Sequence, residues 1–153
     1  MPLSELLSAD RIVILVEPAD RERVLDAAAR LLAGDAADAT AASSESLRQR
    51  ERLGSTAIGH GVAIPHGRTE AFAQARAAFL RLAPGVDFEA GDGQPVDLVF
   101  AMAVPAHFTQ QHLQLLSELA ERFGDADFRA ALRGAGDADA LRGLLLGATS
   151  PAA

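Results

Sequence analysis

Gly54-Ser55-Thr56-Ala57-Ile58-Gly59-His60-Gly61-Val62-Ala63-Ile64-Pro65-His66-Gly67-Arg68 is the stretch on which the reading of this chain depends. Val62, Ala63 and Ile64 form an apolar run bounded by turn residues, the mark of a short buried strand. Pro65 has no amide hydrogen to give a sheet ladder and biases Ile64 toward extended dihedrals. The strand is therefore expected to end there, with His66 in a turn where the chain leaves the sheet edge. Gly67 permits either a positive φ or the close approach of another backbone, leaving room beside the imidazole for a bulky anion or a partner surface. His66 is the candidate working residue. On these grounds alone, a loop histidine bonded to a neighbouring carbonyl is an equally good reading.

Upstream, the β-branched run Ile12-Val13-Ile14-Leu15-Val16 predicts a first strand, ended by Glu17-Pro18. Asp20 is placed to cap a helix from about Arg21 to Leu32, with Val24, Leu25, Ala28, Leu31 and Leu32 at helical spacing and Gly34 as its stop. Asp35 to Ala42 reads as a loop. A second helix is expected from Ser43 or Ser44 to about Leu53, with Arg50 in its last turn. Downstream, Ala71 to Ala75 suggests a helical turn and Ala77 to Leu82 a strand. After the Gly91-Asp92-Gly93 turn, Val96 to Val104 is a continuous apolar run of strand length, expected at the centre of a sheet and closed by Pro105. A long helix from about Gln110 to Arg122 carries Leu115, Leu116 and Leu119 on one stripe with Phe123. Two shorter helices, about Asp125 to Leu132 and Asp137 to Leu146, complete the series. Strands interleaved with helices predict an α/β fold, a mixed β-sheet flanked by helices, in a single domain over residues 1–153 whose tail frays from about residue 146.

A chain of 153 residues suits one domain with a substantial core. No apolar run approaches the ~20 residues of a membrane span, so no membrane insertion is expected. Met1 to Leu7 lacks a basic segment followed by an apolar core, and the cytoplasm is the expected location. With no cysteine there is no disulfide framework, thiolate nucleophile or sulfur metal site. A net charge of −7 argues against a nucleic-acid partner and favours basic protein partners. The aromatics are seven phenylalanines, which offer little for stacking on bases or sugar rings.

The string Arg50-Glu51-Arg52-Leu53-Gly54-Ser55-Thr56 with Ile58-Gly59-His60-Gly61-Val62-Ala63-Ile64-Pro65-His66-Gly67 resembles the active-site signature of the enzyme IIA proteins of bacterial phosphoenolpyruvate-dependent phosphotransferase systems. Within them it is most similar to the mannitol/fructose-type (type 2) class, which includes the nitrogen-related regulatory IIA. The similarity continues through Gly93 to Phe100 and Gln111 to Leu116, so it covers nearly the whole chain. It implies the α/β fold of that class, no cofactor and no resident metal. It also implies a phosphocarrier that accepts a phosphoryl group on His66, as tele-phosphohistidine, from an HPr-type (NPr) carrier. Regulatory target proteins or a IIB domain would lie downstream.

The residues fit such chemistry to different degrees. A neutral imidazole is a competent nucleophile near its ordinary pKa of ~6.5. Phosphoryl transfer then asks the protein mainly for positioning and for donors around the equatorial oxygens. By itself Arg50, beside Arg48 and Arg52, reads first as a solvated helix-end residue; the signature has an arginine at this offset, and the resemblance makes it the group that grips two phosphate oxygens. Ser55 and Thr56 either donate hydroxyls to phosphate or make turn hydrogen bonds. His112, third in its helix if Thr109 is the N-cap, is either a neutral donor near the anion or a buried histidine at the core edge; the resemblance places it beside His66. Arg68 either touches the phosphate or donor protein or is solvated. His60 departs from the family's common Gly-Asn-Gly, and His107 follows Pro105; both are expected on the surface. An apolar patch with an acidic rim is expected around the His66 turn for docking. Three alternatives remain: a sugar-specific IIA passing phosphate to a permease IIB, a metal-dependent hydrolase using His60, His66, His107 and His112, and a binding module whose His66 is never modified.

Overall fold

A computed structural model describes residues 3–34, 36–107 and 110–146. In chain order these form α1 (Leu3–Leu6), a 3-10 turn (Ala9–Arg11), β1 (Ile12–Val16), α2 (Arg21–Ala33), α3 (Ala37–Arg52), β2 (Ala57–Gly59), β3 (Val62–Ala63), β4 (His66–Arg68), β5 (Arg76–Val86), β6 (Val96–Val104), α4 (Gln110–Phe123), α5 (Ala126–Gly134) and α6 (Ala138–Leu145). The strands make one six-stranded sheet in the order β1-β5-β6-β3-β2, with β4 also on β6. Pairing is parallel for β1 with β5 and for β6 with β3 and β4, and antiparallel for β5 with β6 and β2 with β3. The expected mixed α/β sheet with a central Val96–Val104 strand is what forms.

Both sheet faces are covered. On one, Ile12, Val62, Ile64, Phe79, Phe100 and Met102 pack under α1, α4, α5 and α6, where Phe123 stacks on Phe79 with ring centroids 6.3 Å apart. On the other, Ala63, Ala78, Leu80, Val99 and Ala101 pack under α2 and α3. Helix α2 starts at Asp20, whose carboxylate accepts the Arg23 amide hydrogen at 2.9 Å, and stops at Gly34 with φ +66°. Asp125 and Asp137 cap α5 and α6 in the same way.

Three expectations are corrected. The segment 37–42 is not a loop but the first turns of α3. Its alanines have the strongest helix propensity of any residue, which outweighs the polar composition. The segment 71–75 is bend and coil instead of a helical turn, and β5 runs past Leu82 to Val86. Most consequential, β3 stops short of Pro65 as expected, but the chain does not leave the sheet there. The Pro65 carbonyl accepts the Met102 amide at 2.8 Å, and β4 pairs with β6 in the register that β3 began: Val62 faces Leu98 and His66 faces Met102. Pro65 removes one ladder donor and the strand resumes beyond it. His66 thus sits on a strand, not in a turn. The Thr109 cap and the tail beyond Leu146 lie outside the described residues.

Candidate functional site

Alternation along β3 and β4 sends Val62, Ile64 and His66 to the α4 face and Gly67 to the α3 face. Helix α4 brings His112 onto the same face, and the His66 and His112 rings meet edge to face with centroids 5.2 Å apart. Two histidines 46 positions apart in the chain are thereby joined. The Nδ1–H of His66 donates to the Ile64 carbonyl at 2.7 Å. A carbonyl can only accept, so this bond fixes the tautomer and leaves the lone pair on Nε2. Burial lowers the pKa of His66, assisted by the Arg50 charge and opposed by the Ile64 bond and Glu51. The ring is therefore neutral and nucleophilic at ordinary pH.

His112 is buried, and its Nε2 has no hydrogen-bond partner among the described residues. Its pKa is pushed down to about 4 by desolvation first, then by the charges of His66 and Arg68. It is a neutral ring with a polar atom in waiting. An unpaired buried polar atom costs about 1–3 kcal/mol, which a hydrogen bond to this nitrogen would relieve.

Arg50, in the last turn of α3, is half-buried and donates to the Gly54 carbonyl at 2.9 Å; its charge reaches the His66 ring. Arg68, on the strand beside His66, is exposed, and its charge acts on His112. The Ser55 hydroxyl donates to the Phe88 carbonyl and accepts the Ala57 amide. The Thr56 hydroxyl donates to Glu51 at 2.7 Å. Both hydroxyls are thus engaged with protein groups, and only the Ser55 bond from the Ala57 amide is a local turn contact. Gly67 follows the second of its two expected uses, the close approach of another backbone: it lies within β4, and a Cβ there would fall 2.8 Å from the Ser46 carbonyl oxygen. It serves a close approach by α3, not a space for an anion.

The remaining histidines are elsewhere. His60 occupies the β2–β3 hairpin turn with φ +59°, exposed, its amide donating to Asp92 and its carbonyl accepting from Arg133. Positive φ values at His60 and Gly61 are what a two-residue hairpin loop between Gly59 and Val62 calls for. His107 is exposed beyond β6 and lines a cleft with Glu5 and Ala75. The four-histidine metal site is therefore not assembled, since only His66 and His112 meet.

Sequence reading passed over Glu51. Only 6% exposed, its carboxylate accepts both the Thr56 amide, at 3.0 Å, and the Thr56 hydroxyl, with the Arg21 guanidinium 3.5 Å away. The signal was present as spacing: Ser43, Leu47 and Glu51 recur every four residues and form the buried stripe of α3.

This geometry coincides with a family match. The model of the phosphoenolpyruvate-dependent sugar phosphotransferase system EIIA 2 family aligns with residues 5–147. The chain belongs to that family. The nitrogen regulatory protein of Pseudomonas aeruginosa is 41% identical over 140 residues, covering 91% of each chain. The crystal structure of the nitrogen regulatory protein IIA-Ntr from Neisseria meningitidis superposes with a TM-score of 0.84 at 38% identity, over 94% of this chain and 98% of that one. A fructose-specific EIIABC component of Bacillus subtilis is 36% identical over 143 residues, 92% of this chain but 22% of its own length. This EIIA domain contains no helix among its described residues long and apolar enough to cross a membrane.

Proposed function

We propose that the protein is a phosphocarrier in which His66 Nε2 accepts a phosphoryl group from a phosphohistidine of an HPr-type carrier. The observation that carries this reading is the pairing of a neutral His66, its Nδ1–H committed to Ile64, with a buried His112 whose Nε2 is unpartnered. The Nε2 lone pair attacks phosphorus, a new N–P bond forms and the donor's P–N bond breaks. The electron pair of the broken bond returns to the donor ring, which leaves as neutral imidazole with its own N–H. His66 keeps its Nδ1–H, and the Ile64 carbonyl stabilises the positive charge that develops on the ring. His112 donates to a phosphoryl oxygen as a neutral ring. Arg50, with one nitrogen kept on the Gly54 carbonyl, turns its other N–H groups to the phosphate oxygens, and Arg68 adds charge at the rim. Ser55, Thr56 and Gly67 support the phosphate indirectly, by holding the backbone that carries these groups.

Leu53 at the end of α3, Ile58 on β2 and Leu113 beside His112 are 84%, 43% and 70% exposed, apolar material for a carrier to dock on. The regulatory branch is favoured over sugar transport. The 41% identity and TM-score of 0.84 are both to nitrogen regulatory proteins, and each of those chains is covered almost throughout. The decisive assay incubates the protein with phosphoenolpyruvate, enzyme I and an HPr-type carrier. Acid-labile phosphate is expected on the wild type and absent from His66→Ala. Label persisting on that variant would remove His66 as acceptor, and efficient transfer onward to a sugar permease IIB would place the protein in the transport branch.

A further inference from the structure

We propose that Glu51 is the positioning residue of this site, holding His66 and Arg50 in register with each other through one continuous set of hydrogen bonds. The inference rests on His66 being the phosphoryl acceptor. From the carboxylate, one oxygen accepts the Thr56 hydroxyl and the other the Thr56 amide, at 2.7 and 3.0 Å. The Thr56 carbonyl accepts the Ile64 amide at 3.0 Å, and the Ile64 carbonyl accepts the His66 Nδ1–H at 2.7 Å. That path ends on the ring. A second path goes to the guanidinium: the Glu51 backbone carbonyl accepts the Gly54 amide at 3.2 Å, and the Gly54 carbonyl accepts from Arg50 at 2.9 Å. Gly54 is held between Glu51 and Thr56, the two residues the carboxylate ties together.

A buried carboxylate is an expensive way to fasten a helix end, because it loses hydration that an apolar residue never had. On the stripe Ser43, Leu47, Glu51, a leucine at the last position would pack without that penalty. The charge is retained where the carboxylate's hydrogen bonds lead to the His66 ring, while the path to Arg50 runs through the Glu51 backbone carbonyl. Nδ1 held by Ile64 aims Nε2, and a displacement of about 1 Å at a reacting atom costs on the order of 100-fold in rate.

The charged groups facing the His66 ring are Arg50 and Glu51 of α3, with His112 of α4 neutral above pH about 4. Removing the Glu51 charge leaves only the Ile64 bond to oppose burial and Arg50, so the ring should titrate at lower pH. Glu51→Gln, Thr56→Val and Thr56→Ser are the variants, read by folded fraction, by NMR titration of the His66 ring and by the kinetics of phosphoryl transfer from the HPr-type carrier. Glu51→Gln is expected to lower kcat per folded molecule about tenfold to a hundredfold, with KM for the carrier within about twofold, and to move the ring titration to lower pH. Thr56→Val should lower kcat similarly, Thr56→Ser should restore it, and the double variant should be no worse than the poorer single one. Unchanged kcat in Glu51→Gln, failure of Thr56→Ser to rescue, or an unmoved ring titration would each overturn the assignment. Absence of any label on the wild type would instead defeat the phosphocarrier reading. The ring titration needs no donor and still tests the hydrogen-bonded path.

Discussion

His66 has two flanks, and they are built on opposite plans. Toward α3, backbone and side-chain groups are joined in sequence: Glu51 to Thr56, Thr56 to Ile64, Ile64 to the His66 ring, with Arg50 fastened to Gly54. Toward α4, His66 meets His112 through an edge-to-face ring contact, and the His112 Nε2 has no partner among the described residues. A satisfied network fixes geometry before the reaction, whereas an unsatisfied donor gains a partner only when charge arrives. On the proposed phosphocarrier reading, the α3 flank aims the His66 ring and the α4 flank is left to receive the phosphoryl group.

If that division is right, damage to the two flanks should differ in size and in kind. Arg50→Gln should produce the largest loss after removal of His66 itself. It deletes a charge-assisted contact to phosphate of roughly 1.5–3 kcal/mol, a slowing of about 10- to 150-fold in phosphoryl transfer with the circular dichroism spectrum unchanged. Transfer at the wild-type rate would break the scheme on its α3 flank. Gly67→Ala attacks the same flank through packing. The added methyl meets the Ser46 carbonyl oxygen at 2.8 Å, so α3 must lift from β4, at a cost of about 1–3 kcal/mol in unfolding free energy. Denaturant titration reads this directly, and an unaltered midpoint would mean that α3 can yield without strain.

Much of this was legible beforehand, and the failures share a cause. The apolar run at Val96–Val104, the cap and stop of α2, and the stripe of α4 are local signals, and each element formed where they put it. The end of β3 at Pro65 was legible, but the return of His66 to the sheet was not, because the pairing of β4 with β6 depends on a partner 36 residues away. Gly67 was legible as a place of close backbone approach, but not which backbone, because the Ser46 that meets it is 21 residues away in the chain. Glu51 was passed over because a carboxylate between two arginines, Arg50 and Arg52, looks like a solvated surface run. Only the burial of Leu47 one turn earlier reveals that the helix turns this residue inward.

The α4 flank gives the smallest effect and one that depends on pH. The pKa of His112 in the folded protein is about 4, against 6.5 for an ordinary histidine. Below pH 6.5 the unfolded chain takes up a proton that the native ring refuses, so stability falls as the solution is acidified, until the native ring itself titrates near pH 4. Between pH 7 and pH 6 the share due to this residue is about 0.5–1 kcal/mol. His112→Asn keeps a neutral donor and removes the titration. Its Tm should therefore be less sensitive to pH than the wild type's across that window, while transfer falls only about three- to tenfold, the worth of a neutral hydrogen bond. Parallel Tm profiles for the two proteins would show that His112 is not held neutral by burial. A loss of transfer as large as that of Arg50→Gln would place both flanks in the same role.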